Sequence, residues 1–231
     1  MIEKELKYLL LKNDYIKLKK YFESYGEKKR LVFIKTYYYD TIPFSLLPSI
    51  VFRVRLNEGN KEIFLSIKAN ILGRLPSEER EELQVSKELN YNIRSIKIDK
   101  IENKFPLVEE ELLELGLSEE AISFINEIKK DLNLNERYLT ALGITEIERL
   151  HGILPFYNMP FDLDYTKYYK ADKQDKYFED FELEIEDDYP EKFINIVSSI
   201  FKQNEISSSG SEKKIQRLLK YFTPHDNLSK S

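Results

Sequence analysis

The sequence predicts an α+β fold that is mainly β: an antiparallel sheet curled into a closed barrel, with helices packed outside it and a helical insertion between strands. Three observations predict it. Charged and apolar residues alternate along about six segments, and a period of two puts each class on its own strand face. Arg53 and Arg55, for example, oppose Phe52, Val54 and Leu56. Runs with helical spacing interrupt these segments near the start, in the middle and at the end of the chain. Finally, the polar faces carry Arg, Lys, Asp and Glu in place of the Thr, Ser and Gln usual on solvated strands. Alternation alone fits an antiparallel sheet with one solvated face as well; but helices must cover the apolar faces, so a curled sheet turns the charged faces toward one another.

Composition limits the alternatives. The 231 residues, 42% hydrophobic and 33% charged, suit a single domain over 1–231 with one sizeable core. A net charge of −5 opposes a general nucleic-acid coat. The chain has no Cys, which excludes disulfides and thiolate chemistry. Nothing resembles a signal peptide or a span of ~20 apolar residues, so no membrane partner and a cytoplasmic location are expected.

Taken in order, Glu3, Glu5 and Lys7 stand at alternate positions of a first strand. Leu11, Tyr15, Leu18, Tyr21 and Phe22 then mark an amphipathic helix that stops at Gly26. Strand-like runs follow over 31–41, 49–60 and 61–70, the last two joined by a tight Asn-Glu-Gly-Asn turn, with a further strand around 79–88. Tyr37 to Tyr39 read as packing residues, and Asp40-Thr41 as a turn. Residues from about 86 to 135 read as the helical insertion, with a helix start at Ser118. Strands return over 140–155, 159–169 and 176–187, and two helices close the chain on either side of the linker Ser-Ser-Ser-Gly-Ser. His151 and His225 read as surface or loop residues.

The inward faces carry the chemistry. Carboxylates gathered in a cavity cannot all stay ionised without positive charge, and hard oxygen ligands suit Mg²⁺ or Mn²⁺. A metal bridged to phosphate oxygens that Arg and Lys hold would balance the charge. In an empty chamber Lys7, Arg53, Arg55, Lys68 and Arg149 would repel one another, as would Glu3, Glu5, Glu182 and Glu184.

The motifs Glu3-x-Glu5-x-Lys7, Tyr37-Tyr38-Tyr39-Asp40-Thr41, Arg53-x-Arg55, Lys68, Glu82, Arg149, Leu163-Asp164, Glu182-x-Glu184 and Lys214-x-x-Arg217 occur in this order. Together they resemble the CYTH superfamily, the triphosphate tunnel metalloenzymes, over nearly the whole chain. The resemblance implies an eight-stranded antiparallel barrel enclosing a tunnel. It implies metal ligands at Glu3, Glu5, Asp164, Glu182 and Glu184, and a triphosphate cradle of Lys7, Arg53, Arg55, Lys68, Arg149 and Lys214. Arg217 would contact substrate or tie down the closing helix. Glu5, Lys7 and Glu82 are the candidate catalytic groups.

The implied activity is metal-dependent hydrolysis of a triphosphate, either inorganic tripolyphosphate or a nucleoside triphosphate. A class IV adenylyl cyclase, a thiamine triphosphatase and a non-enzymatic polyphosphate-binding module are the alternatives. The partner is a small triphosphate-containing molecule, and the chain is expected to be a monomer or homodimer.

Overall fold

The computed structural model describes residues 2–42, 44–47, 50–59, 62–70, 83–93, 101–171, 173–209 and 213–222. Strand β1 (Ile2–Leu10) leads into helix α1 (Lys12–Tyr25), then β2 (Glu27–Asp40), β3 (Ile50–Asn57), β4 (Glu62–Asn70) and β5 (Leu83–Asn92). The middle holds β6 (Lys104–Pro106) and helices α2 (Glu109–Glu114) and α3 (Glu119–Asp131). A meander of long strands follows: β7 (Tyr138–Leu154), β8 (Met159–Lys170) and β9 (Lys173–Glu186). Helix α4 (Ile194–Gln203), the two-residue β10 (Ser208–Ser209) and helix α5 (Lys214–Phe222) complete the order.

The strands make one antiparallel sheet in the order β10-β1-β5-β4-β3-β2-β7-β8-β9, with β6 beside β7. β1 takes two long neighbours along its length: Ile2 to Leu6 pair with β5, and Glu5 to Leu10 pair with β9.

Local chemistry sets the element ends. Gly26 ends α1 with its N–H donated to Phe22 O at 2.8 Å, and a Cβ there would meet that carbonyl at 2.6 Å. Ser118 caps α3 by accepting from Ala121 N, with Glu119 and Glu120 favourably placed in the first turn. At the end of β2 the buried Asp40 accepts from the N–H groups of Thr41, Leu46 and Leu47, which fixes the expected turn. Tyr37, Tyr38 and Tyr39 are all buried, as packing residues should be.

Two apolar clusters cover the outer faces of the strands. Helices α1 and α4 pack on β8 and β9 through Phe22, Val197, Phe161 and Leu183. Helices α2 and α3 pack on β3 and β4 through Leu112, Ile125, Phe52 and Leu65. With the apolar positions turned outward to the helices, the charged positions share the opposite face.

The structure differs from the sequence reading in three places. The described sheet has ten strands, not eight; the additional β6 and β10 are three and two residues long. Residues 86–92 are strand rather than the beginning of a helical stretch, because Glu88 and Asn90 pair with Lys68 and Ser66 of β4. Within the described part of 86–135, α2 and α3 supply the helix. Part of the expected serine linker is also strand, since Ser208 and Ser209 pair with Leu10 and Leu9.

The stacked rings of Phe22 and Phe161, 4.0 Å between centroids, fasten α1 to β8, and both side chains are fully buried. Phe22→Ala is expected to cost about 3–5 kcal/mol in urea unfolding. A loss below ~1 kcal/mol would mean that α1 is not seated on this ring.

Candidate functional site

The charged face surrounds a cavity of about 90 Å³. β1 contributes Glu5 and Lys7, β3 Arg53 and Arg55, β4 Lys68, β7 Arg149, β9 Glu184 and α5 Lys214. Among the described residues, seven Lys or Arg and four Asp or Glu side chains line it. That excess of cations favours an anionic guest.

Around the cavity the charges are interleaved. Lys214 Nζ lies 3.0 Å from Asp164 and 2.8 Å from Glu184, and it also pairs with Glu182. Arg149 reaches Asp162 at 2.6 Å, Asp164 at 2.7 Å and Glu184 at 2.5 Å. Lys7 lies 2.8 Å from Glu184 and 3.3 Å from Glu5, whose carboxylate also accepts from Lys68 at 3.2 Å. Arg53 donates to both oxygens of Glu88 at 3.1 Å.

This corrects the expectation that like charges would face one another. Antiparallel register sets several cations against carboxylates of the adjacent strand, as where Lys7 opposes Glu184 and Arg149 opposes Asp164. Arg55 is different. Its Nε is buried with no hydrogen-bond partner among the described residues, and the neighbouring Arg53 charge together with burial lowers its pKa.

Carboxyl oxygens of Asp164, Glu182 and Glu184 lie within 4.8 Å of one another, all on buried residues. Such an oxygen set suits a hard divalent cation, and here it surrounds the Lys214 ammonium. Burial pushes the Glu182 carboxyl up to about 7 despite Lys214 and Arg217 beside it. For Glu184 burial acts in the same sense, but Lys214, Lys7 and Arg149 outweigh it and hold the carboxyl well below its usual range. The Glu5 carboxyl is lowered too, with burial opposed by Lys7 and Lys68.

Other sequence candidates lie elsewhere. Arg217 is buried beneath α5, 2.7 Å from Asp180, paired with Glu182 and donating to Tyr168 Oη at 3.1 Å, so it ties the closing helix to β8 and β9. Glu3 pairs in register with Ser86 on β5, while its side chain lies outside the described residues, as do Glu82 and His225. His151 is a β7 strand residue whose Nδ1 is 2.7 Å from Asp162, not a loop residue.

Glu88, Asp180 and Tyr168 escaped the sequence reading as site residues. A signal for Glu88 exists in the alternation of Ser86, Glu88 and Asn90, where the strand expected around 79–88 overlaps the start of the expected helical stretch.

Comparison with known proteins bears on the same residues. The family model described as the CYTH domain matches residues 1–219. No curated protein matches the sequence. Among solved structures, the chain is similar to HpAC1 from Hippeastrum, described as an adenylyl cyclase with a dominant triphosphatase activity. The TM-score is 0.67 at 16% identity, over 95% of this chain and 96% of that one. It is also similar to a protein from Bacillus halodurans designated an adenylate cyclase, with a TM-score of 0.59 at 20% identity, over 92% and 95% of the two chains. The PH1819 protein of Pyrococcus horikoshii aligns at a TM-score of 0.51 and 14% identity, over 94% and 99%. At these identities the likeness establishes the fold.

Removing a buried guanidinium leaves its carboxylates uncompensated. Arg217→Met is therefore expected to cost about 3–5 kcal/mol in urea unfolding, with Arg217→Lys in between. If both variants were as stable as the parent, Arg217 would not anchor α5.

Proposed function

The chain belongs to the CYTH domain family, and from that premise we propose that it is a metal-dependent hydrolase of triphosphates held in the charged cavity. The observation that carries the proposal is Arg55, a half-buried residue lining a cation-rich cavity, whose buried Nε has no hydrogen-bond partner among the described residues. A phosphate oxygen supplies the acceptor that Arg55 lacks and offsets the neighbouring Arg53 charge. The pairing of β9 with β1 supports reading strands β1 to β5 and β7 to β9 as a closed eight-stranded barrel with the cavity as its tunnel. We read residues 1–231 as one domain.

In this reading Arg53, Arg55, Lys68 and Arg149 hold the phosphate oxygens, and Lys7 and Lys214 move from carboxylate to phosphate partners as the ligand enters. Asp164, Glu182 and Glu184 are the residues that would hold Mg²⁺ or Mn²⁺, with Glu3 and Glu5 as further ligands. When bound, such a cation neutralises phosphate charge and draws off the charge that develops in phosphoryl transfer. Glu5, which pairs with Lys7 and Lys68, would accept a proton from the attacking water. Glu82 keeps its proposed catalytic role as a further carboxylate. The products identify the reaction: orthophosphate for a hydrolase, a cyclic nucleotide for a cyclase, and neither for a binding module.

Activity is expected to require Mg²⁺ or Mn²⁺ and to stop in excess EDTA. Glu184→Gln should raise the metal concentration that gives half-maximal rate, because an amide is a poorer ligand than a carboxylate. Arg55→Ala should lower kcat/KM roughly 10²- to 10³-fold, by analogy with loss of one charge-stabilising donor. Because the substitution also removes the repulsion with Arg53, its melting temperature should match or exceed the parent's. Full turnover of tripolyphosphate and ATP in EDTA, or Arg55→Ala kinetics like the parent's, would overturn the proposal.

A further inference from the structure

Two side chains beside the charged cavity are not used by the function proposed above. His151 stands two residues after Arg149 on β7 and shares its strand face. The register of β7 with β8 sets His151 against Asp162 and Arg149 against Asp164. Asp162 joins the two β7 residues: its Oδ1 lies 2.7 Å from His151 Nδ1, and its Oδ2 accepts from Arg149 Nη1 at 2.6 Å.

Arg149 carries five N–H groups in one plane. Among the described residues Nε and Nη2 donate to Asp164, Nη2 donates also to Glu184, and Nη1 donates to Asp162. One Nη1 hydrogen is left for a phosphate oxygen, and its direction is set by the groups that hold the plane. Asp164 and Glu184 belong to the three-carboxylate cluster, whereas Asp162 lies outside it. The Asp162 contact is thus the hold on Arg149 that a cation in that cluster does not share.

The direction of Asp162 depends in turn on His151. The two side chains are 17% and 32% exposed, so water reaches both and apolar packing alone does not fix the carboxylate. Its last torsion is soft. A hydrogen bond donated by Nδ1–H to Oδ1 selects the rotation that points Oδ2 at Arg149. Resting on the triphosphate reading above, we infer that His151 and Asp162 are positioning residues for phosphate binding by Arg149: Asp162 holds the guanidinium, and His151 holds Asp162. Charge alone points the other way for Asp162, because a carboxylate lining the cavity repels a phosphate chain. The sign of its effect on binding therefore separates positioning from simple electrostatics.

The test is calorimetric binding of tripolyphosphate in Ca²⁺. Asp162→Ala is expected to weaken binding about tenfold, the scale of one lost hydrogen bond to a charged group, although it removes a negative charge from the cavity. His151→Ala should act in the same direction, by about fivefold. His151→Asn, whose side-chain amide can donate from near the place of Nδ1, should return affinity to within twofold of the parent. In an Arg149→Met background, where no guanidinium is left to hold, His151→Ala should change affinity less than twofold. Binding tightened by Asp162→Ala, His151→Ala affinity equal to the parent's, or failure of His151→Asn to restore it would overturn the inference and leave the triphosphate reading standing, as would an undiminished His151→Ala loss in the Arg149→Met background. The His151 pair of variants decides the matter without the Arg149→Met chain should that chain not fold. A parent that binds no tripolyphosphate with Ca²⁺ would overturn the triphosphate reading and the inference together.

Discussion

Burying so many charges on one sheet face is tolerable only if each meets an opposite charge, and the rest of the structure depends on that pairing. Antiparallel register satisfies it, placing Lys7 opposite Glu184 and Arg149 opposite Asp164. Lys214 completes the pairing from outside the sheet, carried by α5 to carboxylates of β8 and β9. A lone buried charge would cost several kcal/mol, so the geometry that neutralises these groups also fixes where a ligand can interact with them. Arg55 is the place where the pairing is incomplete, its Nε buried without an acceptor among the described residues. A ligand entering the cavity would therefore exchange partners within an assembled network more than relieve general repulsion.

The same period-two pattern that made the fold legible made most of the site legible. Arg53, Arg55, Lys68, Arg149 and Glu184 could be placed on inward faces because Phe52, Val54, Leu65, Ile67 and Leu183 needed the outer ones. Ser118 and Gly26 announced helix ends that hydrogen bonding and close packing then account for. Other features were hidden because they depend on register. Nothing local in the sequence around Glu88 specifies that Asn90 will lie beside Ser66, and a Glu- and Leu-rich run reads equally as helix. The pairing of His151 with Asp162 is likewise set by the β7–β8 register. The partners of Arg217, one helical turn after Lys214, are likewise set by packing across the fold: Asp180, Tyr168 and Glu182.

The CYTH relationship and the charge arrangement constrain function at different levels. The family match covers residues 1–219, whereas the described solved relatives share no more than 20% identity with this chain and speak to fold. Chemistry must come from the cavity itself: its cations and its three-carboxylate cluster, which fit a triphosphate and a hard cation.

The most direct test of the central claim, that this charged face is a site for a metal and a triphosphate together, is a set of thermal melts with Ca²⁺ alone, tripolyphosphate alone, both, and sulfate at matched ionic strength. Ligand that binds only the folded chain at ~100 times its dissociation constant adds about 2.7 kcal/mol, a shift of a few degrees. The account predicts that Ca²⁺ with tripolyphosphate raises the melting temperature by at least that amount, beyond the sum of the separate effects. A shift that sulfate reproduces at every concentration would contradict it and leave the charged faces as a self-neutralising structural network.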